Sequence, residues 1–390
     1  MATEEIAALG RARLAVTAAF TAHGLVAAAW VARIPQIKEQ LGLSEGAMGV
    51  ALLGAPVGVV AAVRFAGWTV ARWGSRATTL GAGLAAAASL VPLGLAWNLP
   101  ALVVALLLMG GSLGLMDVAM NAQGVAVERG YGRPLMSGLH GAYSIGTLLS
   151  ALAGAGAAHA GVPVPLHLAA AALLLGVLVA GGCRGLLDRS ADAPPEPDGA
   201  VVRPARSSSR RLLALLGVIG LCSFVGEGAM ADWSAIYLRE ELGTGPGLAG
   251  LGYAGCAVAM TAGRMGGDRV VARFGPVPVL RAGSLAAALG LGCGLAAAGP
   301  VAAVAGFTLF GLGIAVVAPV TFSAAGNLPG VPAAAGISRV TAVGYAGLLG
   351  GPPVIGFVAQ GVGLAWALAV PVALVGLIVL LAPAVATAEG

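Results

Sequence analysis

A small set of ionisable side chains falls inside long apolar runs: the acids Asp117, Glu227 and Asp232, the bases Arg64, Arg264 and Arg339, and His23. An ionisable group held in hydrocarbon costs several kcal/mol, so each is a functional candidate by default. Glu227 lies about 15 residues into its run, or roughly 22 Å along a helix. His23 holds the matching place in an earlier run, because Phe20-Thr-Ala-His23-Gly24 aligns with Phe224-Val-Gly-Glu227-Gly228. A buried carboxyl and an imidazole titrate near neutrality, so Glu227 and His23 are a pair able to load and release a proton. The plainer alternative is a neutral Glu227 hydrogen-bonded to a neighbouring helix.

Asp117 has Asn121 one helical turn later on the same face. Arg64, at similar depth, is expected to pair with Asp117, since opposite charges on adjacent helices offset both desolvation penalties. The pair is read as structural or gating, with proton transfer at Asp117 and solute contact as alternatives. Arg264 and Arg339 are expected to play the equivalent structural role further along, with Asp268 as a partner. His140 and Tyr143 share a helical face and could line a cavity or bond between helices. Trp30 and Asp232-Trp233 fall near the ends of their runs, where Trp serves as an interface anchor or as a stacking surface for a solute. With Asn121, His140 and Tyr143, these are the candidate cavity residues.

The elements that must position these groups are apolar helices. Of 390 residues, 58% are hydrophobic and 9% charged, with mean hydropathy +0.94, and runs of roughly 20 apolar residues, enough to cross a bilayer, recur along nearly the whole chain. The 63 glycines suit close helix approach in lipid. The polar breaks predict spans near 12–34, 45–70, 77–96, 100–127, 137–160 and 163–182, then 212–238, 247–270, 277–297, 300–326, 335–360 and 363–383. This is an all-α membrane fold of twelve helices in two bundles, residues 1–182 and 212–390. The first run is read as a permanent span, because no small-residue cleavage site follows it. Between the bundles, 183–211 is a Pro- and Ser-rich charged linker that cannot build a core. Cys183, Cys222, Cys256 and Cys293 are scattered without metal-ligand spacing and are read as small apolar residues.

Charge placement gives an orientation. Fifteen basic residues fall on the linker side (Arg11, Arg13, Arg72, Arg76, Arg129, Arg133, six in the linker, Arg269, Arg273 and Arg281), against Arg33, Lys38 and Arg239 opposite. The positive-inside rule then puts the linker and both termini in the cytoplasm. The halves also repeat at an offset of about 200 residues. Ile37-Lys-Glu-Gln-Leu-Gly42 matches Leu238-Arg-Glu-Glu-Leu-Gly243, Arg64-Phe-Ala-Gly67 matches Arg264-Met-Gly-Gly267, and Val70-Ala-Arg-Trp-Gly74 matches Val271-Ala-Arg-Phe-Gly275. The same repeat aligns His140 with Ser338. Such repeats imply a pseudo-twofold axis with a site between the halves.

The turn Gly67-Trp-Thr-Val-Ala-Arg72-Trp-Gly74-Ser-Arg76 resembles the signature loop Gly-x-x-x-Asp-Arg-x-Gly-Arg-Arg of the major facilitator superfamily. Gly67, Arg72, Gly74 and Arg76 match. Ala71 stands where the family has Asp, so any contact made by that acid is absent or made by another acid. A separate Gly267-Asp268-Arg269 occurs in the second half. Arg33-Ile-Pro-Gln-Ile-Lys-Glu-Gln-Leu-Gly-Leu-Ser44, Met116-Asp-Val-Ala-Met-Asn-Ala-Gln123 and Gly138-Leu-His-Gly-Ala-Tyr-Ser-Ile-Gly146 are similar to the YbjJ-like bacterial inner-membrane group. The resemblance implies alternating access by a monomer, with the spans of His23 and Glu227 lining a central cavity. Gly347-x-x-x-Gly351-Pro352-Pro353 on the eleventh span resembles a motif that drug-proton antiporters carry on span 5, where this chain has no proline. Its simpler reading is a packing kink.

No Gly-x-x-x-x-Gly-Lys-[Ser/Thr] loop occurs, so no ATP-driven cycle is expected, nor a cofactor, a metal or a nucleic-acid partner. The expected partners are a small solute, protons and lipid. Movement of a polar, sugar-like solute coupled to protons is favoured. Proton-driven export of amphipathic metabolites or drugs is the alternative, and a non-transporting membrane sensor or enzyme the remote one.

Overall fold

The computed structural model describes residues 2–193 and 206–389. All the regular elements among them are helical. Ten helices are long and apolar enough to cross a membrane by length and composition. Two more, Met136–His159 and Pro246–Phe274, are long enough but fall outside that test. Both carry polar groups, including His140 and Tyr143 in one and Arg264 and Asp268 in the other.

In chain order the spans are 1, Ala2–Ala28; 2, Glu45–Leu52 continued by Gly54–Trp73; 3, Ser75–Gly94; 4, Leu99–Tyr131; 5, Met136–His159; and 6, Val164–Gly182. Then come 7, Arg206–Ile236; 8, Pro246–Phe274; 9, Pro276–Ala296; 10, Pro300–Ile314 continued by Val317–Gly326; 11, Ala333–Val362; and 12, Leu364–Ala367 continued by Ala369–Leu381. Local chemistry sets the ends. Asn98 caps span 4 by accepting from the Ala101 amide at 2.9 Å, and prolines sit in the first turns of spans 8, 9 and 10, where a missing N–H costs nothing.

The chain groups into two compact units. The first comprises residues 1–132, 139–193 and 332–338; the second comprises 133–138, 194–331 and 339–390. Within the first, span 2 packs on span 4, and span 3 on spans 4 and 6. Within the second, span 8 packs on span 10, and span 9 on spans 10 and 12. Glycine makes the close crossings possible. A Cβ on Gly110 would collide with the Ala55 carbonyl, and one on Gly311 with the Cys256 carbonyl. These pairs occupy equivalent places in the repeat.

The linker differs from its expected form at both ends. Arg206–Arg211 is already helix and opens span 7. Residues 183–193 are docked on the first unit, with Cys183 and Leu186 buried, and two short 3-10 turns, Cys183–Gly185 and Arg189–Asp192. Most of the Pro-rich stretch lies outside the described residues.

Candidate functional site

In the first unit the polar groups gather on spans 1, 4 and 5. His23 is buried, and its Nε2 lies 3.2 Å from the Leu113 carbonyl oxygen on span 4. A carbonyl only accepts, so Nε2 carries the hydrogen and Nδ1 is left as an acceptor. Nδ1 is enclosed, with no hydrogen-bond partner among the described residues. Close approach of span 5 holds the imidazole there: a Cβ on Gly24 would strike the Tyr143 carbonyl, and one on Gly146 the Thr21 carbonyl. The Tyr143 ring lies 5.5 Å from the His23 ring, and His140 lies 5.1 Å from Phe20.

Asp117 is buried one turn past Leu113 on span 4. Its Oδ1 accepts from Asn121 Nδ2 at 3.1 Å, and Asn121 Nδ2 also donates to the Asp117 carbonyl at 2.8 Å. Asn121 is wholly buried, and its Oδ1 has no partner among the described residues. The expected Asp117–Arg64 ion pair is not among the described interactions. Arg64 is exposed, and a neutral amide, not a guanidinium, holds the carboxyl. Helical spacing predicted the Asn121 neighbour; the rotation of span 2 about its own axis, which the sequence does not encode locally, turned Arg64 away.

In the second unit, Glu227 on span 7 pairs with Arg264 on span 8, Oε2 to Nη2 at 3.6 Å. Arg264 is buried and its Nε also reaches the Ala315 carbonyl at 3.4 Å. Glu227 is therefore charge-compensated, whereas Asp117 has no such partner among the described residues. Asp268 meets the start of span 5. Its Oδ1 and Oδ2 accept the backbone N–H of Ser137 and Gly138, each at 2.8 Å, so it caps the first turn of span 5. Ser137 Oγ donates to the Arg264 carbonyl at 2.9 Å, and in the first unit Ser338 Oγ donates to the Val63 carbonyl at 2.6 Å.

The remaining candidates scatter. Trp30 sits in an apolar cluster with Ile37, Met48 and Leu102 where span 1 breaks, so it is core in place of an open stacking surface. Trp233 packs on Gly356, 3.2 Å from where a Cβ would be; its Nε1 has no partner among the described residues. Asp232, Arg269 and Arg339 are exposed. Gly347 and Gly351 receive Leu221 and Val225 of span 7, so the span 11 motif is a packing surface.

Gln123, two residues past Asn121 on span 4, holds a structural position that local spacing does not show. Wholly buried, its Nε2 donates to Ser75 Oγ at 2.7 Å and the Leu187 carbonyl at 3.0 Å, while its Oε1 accepts the Leu187 N–H at 2.9 Å. It pins the linker to spans 3 and 4. An amide among apolar neighbours near a span end was the available signal. At the signature loop, Gly74 takes φ 86°, ψ 155°, Arg76 Nη2 reaches the Arg184 carbonyl at 3.0 Å, and Arg72 is exposed.

Residues 15–330 match the model of the family described as Major Facilitator Superfamily. An uncharacterised MFS-type transporter of Yersinia pestis is 38% identical over 343 residues, covering 88% of this chain and 87% of that one. The transporter FucP in its outward conformation superposes with TM-score 0.79 at 17% identity, over 95% of this chain and 97% of that one. A second structure of FucP, described as the E. coli fucose:proton symporter, superposes at 0.75 with the same identity and coverage. The proton:xylose symporter XylE superposes at 0.69 with 14% identity, over 96% and 95%.

Proposed function

The chain belongs to the major facilitator superfamily, a family of multi-pass membrane transporters and not of enzymes, and we propose that it is a proton-coupled secondary transporter of a polar, sugar-like solute. The observation that carries the coupling is the environment of Asp117: a buried carboxyl whose described partner is a neutral amide. Among the described residues no fixed cation pairs with it, so gaining a proton removes a buried charge at little structural cost. His23 adds a second acceptor, Nδ1, without a partner. Glu227 is tied to Arg264 and is assigned to gating or solute contact. Within the first unit, Asn121, His140 and Tyr143 offer amide, imidazole and hydroxyl groups of the kind that bind hydroxylated solutes. The likeness in fold to two proton:sugar symporters favours the same cargo class. The chain sits in the bacterial cytoplasmic membrane as a monomer, with the basic linker side and both termini facing the cytoplasm.

The test uses the full chain in liposomes with a pH-sensitive dye outside, given pentoses and hexoses, small carboxylic acids or amphipathic cations. A sugar is expected to drive proton movement in the wild type and not in Asp117→Asn. Sugar binding by Asp117→Asn, read as thermal stabilisation of about 2.7 kcal/mol at a hundredfold excess over Kd, is expected to persist. Sugar-driven proton movement that survives Asp117→Asn overturns the coupling site, and movement driven by amphipathic cations alone overturns the cargo.

A further inference from the structure

Among the described residues, one buried cation has no acid paired with it. Arg33, in the short helical stretch that follows span 1, is 2% exposed. Its Nη2 donates to the Val162 carbonyl at 2.5 Å, in the turn between spans 5 and 6. Its Nε and Nη1 are enclosed, with no hydrogen-bond partner among the described residues. The nearest acid along the chain, Glu39, is exposed. A guanidinium keeps its charge, so it cannot escape burial by giving up a proton as other ionisable groups do. A charge held out of water costs several kcal/mol unless an opposite charge meets it.

The groups beside it add further donors. Gly154 lets span 5 come close: a Cβ there would lie 3.1 Å from Ala32 Cβ and 3.7 Å from His167 Cε1. His167, on span 6, is within electrostatic reach of Arg33, and its enclosed Nδ1 likewise has no partner among the described residues. That nitrogen can carry the ring hydrogen and donate it. Gln36, one turn past Arg33, has its amide oxygen enclosed in the same way, and a half-turn of the amide presents its NH2 instead.

The repeat shows that the fold itself asks for no charge at this place. The offset that matches 37–42 with 238–243 sets Ser234 against Arg33. Ser234 is wholly buried and satisfied locally, its Oγ donating to the Met230 carbonyl at 2.5 Å. In the second unit the stretch after span 7 reaches the start of span 12 through an acid, Glu241 Oε1 accepting the Leu364 N–H at 3.3 Å. A tie between these two segments therefore needs no buried guanidinium.

We propose that Arg33, with His167, forms a binding site for a small inorganic anion of chloride's size, at the end of the first unit opposite the linker. The anion supplies the charge that no acid provides and accepts hydrogen bonds from Nε and Nη1. A water molecule accepts the same hydrogen bonds but leaves the charge uncompensated. Enclosure sets the size limit, admitting a halide and excluding a bulky organic anion.

The experiment follows thermal unfolding of the full chain in detergent, exchanged into sodium gluconate and titrated with sodium chloride or bromide at constant ionic strength. The wild type is expected to gain about 2 °C at a tenfold excess of halide over Kd, and to saturate. Arg33→Met is expected to show no gain. Arg33→Lys, which keeps the charge and loses the planar fork, is expected to need about tenfold more halide, and it decides the matter should Arg33→Met fail to fold. No halide-specific gain in the wild type, a gain that survives Arg33→Met, or the same titration in Arg33→Lys as in the wild type overturns the proposal.

Discussion

The turn between spans 2 and 3 and the turn between spans 8 and 9 have nearly the same backbone and are secured by different means. Gly74 sits at φ 86°, ψ 155° and Gly275 at φ 79°, ψ 158°. After Gly74 comes Ser75, whose free N–H needs an acceptor and finds Asp192; after Gly275 comes Pro276, which has no N–H to satisfy. The linker reinforces the first turn further, placing Arg189 on a carbonyl near the end of span 2 and Asp192 at the start of span 3. Each charge complements the helix end it meets. One turn is closed by residues distant in sequence, the other by its own covalent chemistry. What the two share is the glycine.

The sharpest way to break that comparison is through the shared feature. At these dihedrals only glycine is comfortable, so Gly74→Ala and Gly275→Ala should each destabilise the protein by about 3 kcal/mol in denaturant or thermal unfolding. Markedly unequal losses would mean that the linker relieves strain in the first turn. Next in size is Gln123→Leu, which strands the Leu187 amide and carbonyl. A loss of about 2 kcal/mol is expected, with faster proteolysis near Leu187, because a buried group left without its partner costs roughly 1–3 kcal/mol. No change in either would show that Gln123 does not hold the linker. The smallest effect is expected from Pro276→Ser, which gives the second turn the N–H of the first without an acid to receive it. A loss of about 1 kcal/mol should appear, from the uncapped amide and the freer unfolded chain. A neutral outcome would mean that Ser75 needs no cap either.

Comparison of the two buried carboxyls carries the same lesson toward function. Both Asp117 and Glu227 are visible as acids in apolar runs, and helical spacing alone places Asn121 beside Asp117. Their true partners were not equally visible. Arg264 reaches Glu227 from the next span, while Arg64, its match in the repeat, is exposed. A periodic pattern tells which residues share a face of one helix. It does not tell how that helix is rotated against its neighbour, which depends on glycine contacts such as Gly58 and Gly110 meeting span 4 and span 2 backbones.

The sequence by itself determined the helical membrane class, the span positions, the repeat and the signature turn, because each rests on local composition or short-range spacing. It also marked Ala71 as a missing acid. Only the tertiary structure decided that Asp268 caps span 5, that Gln123 and Asp192 secure the linker, and that the partner of Asp117 among the described residues is an amide. Those outcomes join residues far apart in the chain, and they follow from packing distances and hydrogen-bond directions that no local pattern encodes.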